Sequence, residues 1–360
     1  MTNSDFEIVP LVVPSRLDAD DAADFLGLVD ARNAIWRHLI GDDSMAFSAE
    51  DLLPRWSSQG ADPIEGFVAR VGGKVVGRSY ASRPRDDVAP EGTVLVEVHP
   101  DFRRRGIGTA LLEAALEASR RTGRRSLQND FPSTAIPGAP TLAAPTGFGS
   151  IDRGDPGAEF AITHGFVLEQ VARMSRLALP PDADVLRSAL ADARASAGGD
   201  YDLVWWLGET PDAWLADLAN LRTRMKTDAP SAGLDVTEDP WDADRIRAQD
   251  RMRASSWHGA LTVAARHIAT GRLVAFSELT VPEDQAKVVA QNDTLVLAEH
   301  RGNALGLLMK AANLELLIEH FPGYPHVVTS NAEENVHMLA INERLGFVPW
   351  LYEGAWQRRL

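Results

Sequence analysis

Two distant segments of this chain share one pattern, in which an apolar strand passes through a glycine-bearing turn into an amphipathic helix. Residues 98–108 read VHPDFRRRGIG and residues 296–306 read VLAEHRGNALG, and the two align without a gap. Arg301 falls on Arg103, and Gly306 falls on Gly108. Each segment is followed by apolar residues at the 3/4 spacing of a half-buried helix. The chain is therefore expected to contain the same strand-turn-helix unit twice.

The repeat continues beyond this helix and suggests how the chain is divided. Residues 163–168 (THGFVL) and 344–349 (RLGFVP) both predict a helix that ends at a glycine and gives way to a strand. A chain of 360 residues also exceeds what one hydrophobic core usually organises. Pro180 and Pro181 interrupt the pattern, and an alanine-rich stretch follows. We expect an N-terminal domain over residues 1–180, a linker helix over 181–199 and a C-terminal domain over 200–360.

The order of elements is similar in the two halves. Each half begins with a strand and one or two helices, followed by a segment that alternates around a glycine turn and predicts a β-hairpin. A strand, the glycine-bearing turn and its helix, another strand, a helix and a last strand complete each unit. This order predicts an α/β (α+β) fold with two tandem units.

The turn before the first repeated helix has the composition of an anion site. Gly106 and Gly108 let the backbone approach a ligand closely, and the first N–H groups of the helix lack intrahelical partners. Arg103, Arg104 and Arg105 add positive charge at the same end of the helix. Neither the phosphate loop of nucleotide hydrolases nor the dinucleotide fingerprint is present. We expect a diphosphate group to bind at this turn.

The remaining pattern, R-x-x-G-x-G preceded by V-x-P, resembles the acyl-coenzyme A loop of the GNAT superfamily of N-acetyltransferases. The resemblance covers nearly the whole of both halves and implies two tandem GNAT-fold domains, each with a mixed, splayed central sheet flanked by helices. It also implies acetyl-CoA (coenzyme A) as the cofactor. The cofactor-binding residues that it implies are Val98, Arg103, Arg104, Arg105, Gly106, Ile107, Gly108 and Thr109 in the first half, and Val296, Arg301, Gly302, Asn303, Ala304, Leu305, Gly306 and Asn335 in the second.

The resemblance further implies direct transfer of an acetyl group to a primary amine. A free backbone N–H at or next to Val98 and Val296 would polarise the thioester carbonyl, and a carboxylate or histidine would accept the amine proton. The chain contains no cysteine, so an acyl-cysteine intermediate is excluded. By position, Glu97 and Asp293 are the catalytic candidates, although a carboxylate at a strand end is more often a solvated edge residue. His99 and Glu278 are further possibilities.

The sequence also departs from the family pattern. The family commonly has a tyrosine in the helix before the Gly-Phe pair, whereas the second half has Asn342 there and the first half has no tyrosine either. Ala304 stands where glycine is usual. The sequence does not indicate which half is catalytic, and in tandem members of the superfamily one half can be catalytic and the other largely structural. A non-catalytic acyl-CoA-binding sensor or interaction protein is the alternative from another class.

Composition limits the partners. A net charge of −15 argues against nucleic acid, and no apolar stretch approaches the roughly 20 residues that span a bilayer. The first residues lack the features of a secretion signal, so we expect a cytoplasmic enzyme, monomer or homodimer, that acts on a small-molecule amine. Protein-lysine acetylation differs from this only in the substrate. The nine histidines have no metal-ligand spacing, and we expect no metal. The proline- and glycine-rich residues 131–149 are expected to form a long loop that covers the cleft of the first half.

Overall fold

The computed structural model describes residues 5–57, 63–83, 89–134, 138–256 and 258–360. In these ranges the strands are β1 Glu7–Pro10, β2 Ile64–Val71, β3 Lys74–Ser82, β4 Glu91–Val98, β5 Ser126–Ser133, β6 Thr141–Ala143, β7 Ser150–Asp152, β8 Val167–Ala178, β9 Tyr201–Leu207, β10 His258–His267, β11 Arg272–Pro282, β12 Val289–Val296, β13 His326–Ala332 and β14 Val348–Arg359. The helices are α1 Ala23–Ile40, α2 Ala49–Ser57, α3 Ile107–Arg121, α4 Pro156–Thr163, α5 Ala183–Ala197, α6 Leu215–Asp228, α7 Ala243–Ser255, α8 Leu305–His320 and α9 Val336–Arg344. The predicted α/β class and the repeated order of elements are confirmed.

The two halves share one mixed sheet of 12 strands, in the order β1-β2-β3-β4-β5-β14-β8-β13-β12-β11-β10-β9. Most neighbours are antiparallel, and β4 with β5 and β12 with β13 are parallel. The β2–β3 hairpin turns at Gly72 and Gly73, whose φ angles of 56° and 81° are the left-handed values that glycine adopts without strain. The predicted hairpins are therefore adjacent strands in both halves.

The halves exchange their last strands in the centre of this sheet. β14, from the end of the chain, lies between β5 and β8. β8, from the first half, lies between β14 and β13 and pairs with β13 from Ala172 to Ala178. Helix α5 occupies most of the segment expected to link the domains. The division of the chain into residues 1–180 and 200–360 stays a prediction, because each sheet region contains a strand from the other half.

Helices cover both faces of the sheet. One apolar cluster lies beneath α3 and α4, and another lies beneath α5 and α8. Val171 of β8 belongs to the first cluster and Leu177 of β8 to the second. Residues an even number of positions apart on a strand lie on the same face, so both clusters are on one face of the sheet. The other two clusters include residues of α1 and α2 in the first half and of α6 and α7 in the second. Each half therefore holds its sheet between two helical layers.

The long connection after β5 differs in part from the expectation. Strand β6 lies within the predicted segment, and β7 follows immediately after it. The two strands pair as a short antiparallel ribbon from Thr141 to Asp152. The expectation of a loop over residues 131–149 was wrong at residues 131–133, which belong to β5, and at β6, which pairs with β7. Residues 135–137 lie outside the described residues, and coverage of the cleft stays a prediction.

Candidate functional site

Two strands separate from their parallel neighbours at corresponding places. β4 pairs with β5 only through residues 91–93, and β12 pairs with β13 only through residues 289 and 290. The rest of each strand stays paired on its other edge, up to Val98 with Gly77 and Val296 with Ala275. A wedge-shaped opening therefore lies beside the end of β4 and beside the end of β12, which is the splay that the resemblance implied.

Backbone N–H groups line both openings. The His99 N–H donates to the Val76 carbonyl at 2.8 Å, and the Leu297 N–H donates to the Val274 carbonyl at 3.0 Å. Successive residues of a strand alternate between its two edges. The N–H groups of Val98 and Val296 therefore face the openings, where each can donate to a carbonyl oxygen that develops negative charge.

The turns after β4 and β12 have the same backbone conformation. Arg104 and Gly302 occupy aligned positions with φ of 62° and 87°, and Gly106 and Ala304 do so with φ of 84° and 53°. Left-handed backbone thus occurs at the same two positions of both turns, which supports the gap-free alignment of the two segments. Ala304 is thus a non-glycine residue in a conformation that costs an L-amino acid about 1–2 kcal/mol.

The first arginine of each turn holds the turn together. The Arg103 Nε donates to the Val98 carbonyl at 3.1 Å, and the Arg301 Nε donates to the Val296 carbonyl at the same distance. Arg301 also pairs with Asp228 at 2.6 Å. Both arginines therefore order the backbone around the predicted anion site.

The charges of the next two arginines remain near the surface. The Arg104 guanidinium lies 3.5 Å from the Glu159 carboxylate, and both side chains are exposed. Arg105 donates to the Asp101 carbonyl at 3.0 Å. These weak, solvated contacts leave both arginines able to turn toward an incoming anion.

The helix N-termini fit a diphosphate. No side chain caps α3 or α8, so their first backbone N–H groups keep their donor capacity. A Cβ added to Gly106 would meet no atom within 4 Å, which means that the backbone there is open. At Gly108 and Gly306 the same addition would come within 3.2 Å of Phe160 and 3.3 Å of Ile341, so these glycines let a second helix pack closely.

The other predicted cofactor residues have mainly structural contacts. Ile107 and Leu305 are buried in the cores beneath α3 and α8. The Thr109 hydroxyl lies 3.2 Å from the His164 ring, and Asn303 donates to the His300 carbonyl at 3.1 Å. Asn335 caps α9 by accepting from the Met338 N–H at 3.3 Å. The structure thus brings the predicted residues of each half to one turn and helix start, whereas Asn335 lies at the start of a second helix.

The predicted base Glu97 is already engaged. Its carboxylate accepts from Arg78 at 2.5 Å, and Arg78 lies directly opposite on β3. The Glu97 carboxylate is also close enough to act on Arg32, although burial outweighs this attraction and lowers the pKa of Arg32 to about 9. Glu97 therefore belongs to a partly buried ion pair.

The predicted base Asp293 belongs to a second ion-pair cluster. It accepts from Arg222 at 2.6 Å, and burial raises the pKa of its carboxyl group. Arg222 and Arg253 also donate to Glu278, which is almost completely buried. Burial opposes ionisation of Glu278, but the two arginines outweigh it and lower its pKa. Glu278 of this cluster corresponds in position to Tyr80 of the first half. Val98 pairs with Gly77 and Val296 pairs with Ala275, and Tyr80 and Glu278 each follow that paired residue by three positions.

Sequence reasoning missed a group of residues beside the first opening. Asp130 on β5 pairs with Ala355 on β14, and Glu353 on β14 pairs with Pro132 on β5. The two carboxylates therefore lie on the same face of the sheet, in neighbouring cross-strand pairs. Desolvation raises the pKa of Asp130 and raises that of Glu353 to about 7, while the Ser330 hydroxyl donates to Glu353. No sequence signal pairs these carboxylates, because Glu353 arrives on the exchanged strand.

Tyr80 borders the same opening. It lies opposite Leu95 of β4, on the face that also carries Asp130, because Thr93 and Gln128 are in register. Its ring meets the edge of Trp56 at a centroid distance of 5.9 Å, and burial raises the pKa of its hydroxyl. The first opening therefore has a phenol and two carboxyl groups on one face.

A segment of the second half crosses this face of the first half. The Thr237 N–H and hydroxyl donate to Glu91 at 3.1 and 2.8 Å. Gln128 donates to the Asp235 carbonyl at 2.5 Å, and the Asp235 N–H donates to Gln357 at 2.8 Å. The connection between α6 and α7 is thereby fixed beside the base of the first opening.

None of the described helices is both long and apolar enough to cross a membrane. Within the same ranges, no group of three or more histidine, aspartate or glutamate side chains is arranged to hold a metal ion.

The chain is similar in sequence and in structure to known acetyltransferases. Residues 30–134 match the Acetyltransferase (GNAT) family. The chain is 27% identical over 349 residues to the mycothiol acetyltransferase of Salinispora arenicola (strain CNS-205), which covers 95% of both chains. It is 28% identical to the solved structure of a tandem GNAT protein from the clavulanic acid biosynthesis pathway, with a TM-score of 0.75 and 98% of both chains covered.

A more distant structure shows the fold alone. A GCN5-related N-acetyltransferase from Sphaerobacter thermophilus has a TM-score of 0.61 at 16% identity, covering 99% of this chain and 96% of its own. The full-length match to the tandem GNAT protein agrees with the repeated openings, turns and helices. Residues 30–134 thus carry a domain of the GNAT acetyltransferase family, and the whole chain has the tandem GNAT architecture.

Proposed function

We propose that this protein is an acetyl-CoA-dependent N-acetyltransferase and that the transfer to a small primary amine takes place in the first half. The observation that carries the proposal is the combination of the β4–β5 opening, the Val98 N–H facing it, and a pair of carboxyl groups beside it. These elements are the electrophile-stabilising donor and the proton acceptor that direct acyl transfer to an amine requires.

The turn and helix start of the first half would hold the cofactor. The uncapped N–H groups at the start of α3, together with Arg104 and Arg105, would bind its diphosphate. When bound, acetyl-CoA supplies an activated thioester. The Val98 N–H would stabilise the negative charge that develops on the carbonyl oxygen as the amine attacks.

Glu353 is the base that the surroundings favour. A primary amine enters mostly as an ammonium ion at neutral pH and must lose a proton before it attacks. A carboxylate whose pKa is about 7 accepts that proton efficiently near neutral pH. Asp130, on the same face, would attract the ammonium group in its ionised form, and Tyr80, kept protonated by its raised pKa, would donate a proton to the departing thiolate.

In the described part of the second half, the corresponding groups are held in ion pairs. Glu278 takes the place of Tyr80 and is bound by two arginines, and Asp293 is bound by one of them. The Glu278 carboxylate is a poor proton acceptor, because the two arginines stabilise its negative charge and lower its pKa. This contrast supports catalysis in the first half, with Glu97 and Asp293 as the alternative bases.

The test compares three variants with the unmodified protein in an assay of thiol release from acetyl-CoA with a panel of small amines. Glu353→Gln should lower kcat/KM at least tenfold, whereas Glu97→Gln and Asp293→Asn should lower it far less. Calorimetric titration of acetyl-CoA provides the control, and its affinity should be unchanged in Glu353→Gln. Full turnover in Glu353→Gln would contradict its role as the base.

A second measurement distinguishes the halves and the two classes of function. Gly106→Glu places a side chain and a negative charge in the first turn and should abolish turnover. Ala304→Glu, the change at the aligned position of the second turn, should leave turnover largely intact. Saturable acetyl-CoA binding with no thiol release for any amine would instead support the acyl-CoA-binding sensor.

A further inference from the structure

Helix α1, which covers the sheet face that bears the carboxyl groups of the first opening, carries a buried arginine. Leu28 and Val29 lie on its inward side, and Arg32 extends this buried stripe by one turn with only 5% of its surface exposed. The Arg32 Cζ lies over two aromatic rings, 5.1 Å from the centre of Trp36 and 4.3 Å from that of Phe47. The guanidinium is therefore held in a fixed position.

One edge of this guanidinium has no partner among the described residues. Nη1 of Arg32 donates to the Met45 carbonyl and, at 3.1 Å, to Oδ1 of Asn33. Nε and Nη2 donate to none of the described residues, and both nitrogens retain contact with solvent. The same residues supply no carboxylate that pairs with Arg32. The Nε–Nη2 edge is therefore free to bind a ligand that reaches it.

Other arginines of this chain show what such an edge binds. Arg173 donates through Nε and Nη2 to the two oxygens of Glu333, at 2.8 and 2.9 Å. Arg70 contacts Asp24 through the same two nitrogens. The two parallel N–H groups of this edge match the two oxygens of a carboxylate. The free edge of Arg32 thus has the donor geometry of a carboxylate site.

Charge interactions place Arg32 beside the end of β4. Burial lowers the pKa of Arg32 to about 9, and the nearby charge of Glu97 opposes this shift whereas that of Arg78 adds to it. Arg78 and Glu97 form an ion pair directly across β3 and β4, and Glu97 immediately precedes Val98, whose N–H faces the opening. In this group of described residues one carboxylate balances two guanidinium groups. A net positive charge therefore lies next to the proposed site of acyl transfer.

The other side of the opening is acidic. Asp130 and Glu353 lie there on one face of the sheet, on β5 and β14. Tyr80 connects the two sides, because Arg78 and Asp130 are both close enough for their charges to act on its hydroxyl group. An acceptor in this cleft would meet carboxyl groups on one side and a free guanidinium edge on the other. Such a cleft fits a molecule with an ammonium group and an anionic group.

We propose that the acceptor of the first half is an amino acid, a primary amine that also carries a carboxylate, and that the Nε–Nη2 edge of Arg32 binds this carboxylate. The amine would then lie toward Val98 and the carboxyl groups of Asp130 and Glu353. A buried guanidinium favours such a ligand, because a carboxylate supplies the opposite charge and accepts both N–H groups. The inference rests on the proposed N-acetylation and names the class of its acceptor.

The test measures thiol release from acetyl-CoA with a series of amino acids, from glycine to 6-aminohexanoate, and with the neutral amide of each. An amide keeps the shape of its amino acid and removes the negative charge. After correction for the fraction of free amine, the best amino acid should have a kcat/KM at least about tenfold above that of its amide, the usual contribution of a charged hydrogen bond. The difference should lie mainly in KM, because Arg32 binds the acceptor and takes no part in proton transfer.

Variants of α1 test the role of Arg32. Arg32→Met should abolish the preference for the amino acid and leave turnover of the amide. Arg32→Lys keeps the charge but lacks the paired N–H edge, so it should lose most of the preference, and it serves as the test if Arg32→Met folds poorly. Arg37→Met is the matched control, because it removes an exposed arginine of the same helix that pairs with Asp43 at 2.6 Å. This control should keep the preference.

Three results would overturn the inference. They are equal use of every amino acid and its amide, a preference for the amino acid that survives both changes of Arg32, and an equal loss of the preference in Arg37→Met. Each of these results leaves the proposed function intact, because thiol release still depends on an amine. Absence of thiol release with any amine would instead refute the proposed function and this inference together.

Discussion

Replacing Lys310 by methionine should stabilise the folded chain, and the gain should shrink as the pH rises. The side chain is buried in the core beneath α8, where the aligned residue of the first half is Leu112. Methionine preserves most of the volume and removes the ionisable group. The variant therefore isolates the cost of burying the amine.

The size of the effect follows from the pKa of Lys310. Burial lowers it from the usual 10.5 to about 7, so between these values the unfolded chain binds a proton that the folded chain has released. Stability then rises with pH, because the unfolded state binds more protons. The linkage destabilises the folded chain by about 4 kcal/mol at pH 7 and by about 2 kcal/mol at pH 9, at 1.36 kcal/mol for each pKa unit.

Urea unfolding of both proteins at pH 7, 8 and 9, followed by circular dichroism, measures the difference. The advantage of Lys310→Met should fall by about 2 kcal/mol over this range. Other titrating groups are shared by the two proteins and cancel in the comparison. A constant difference between the two proteins across the range would refute the reasoning, because it would mean that Lys310 keeps its proton in the folded state.

Three further predictions concern other sites. Ala304→Gly should stabilise the chain by about 0.5–1 kcal/mol in urea unfolding, because it relieves a left-handed alanine, and the matched change Gly106→Ala should destabilise it by about 1 kcal/mol. Glu278→Gln should cost about 3–5 kcal/mol at pH 7 in the same assay, because it leaves Arg253 without a carboxylate partner and the buried Arg222 with Asp293 alone, and an unchanged midpoint would contradict this. The kcat/KM of the unmodified enzyme should rise with pH through about 7 as Glu353 loses its proton, and Glu353→Gln should lack this rise in a pH–rate profile.

Local sequence patterns were sufficient to predict the repeated turns. The gap-free alignment of residues 98–108 with 296–306 is matched by left-handed backbone at the same two positions in each half, including Ala304. This success has a physical reason, since a tight strand-to-helix turn is determined by the conformational preferences of a few adjacent residues.

The contacts that depend on distant residues could not be predicted in this way. Glu353 reaches the first opening because β14 pairs with β5, and no local pattern specifies a strand's partner in another half of the chain. The position of Glu97 beside Val98 is evident from the sequence. That Arg78 binds the Glu97 carboxylate is evident only from the structure. Lys310 also lies within a run of helix-forming residues, where its burial is decided by packing alone.

The exchange of β8 and β14 has a consequence for biosynthesis. β14 is synthesised long after β5, although the two strands are neighbours in the sheet. Until β14 has been made, β5 lacks its native partner on that edge, and an unpaired strand edge is a template for association with other chains. The sheet is thus completed only when β14 joins it, through contacts of large sequence separation that form slowly. Nascent chains of this protein depend on the speed of that final step, or on a chaperone that shields the edge, to avoid aggregation.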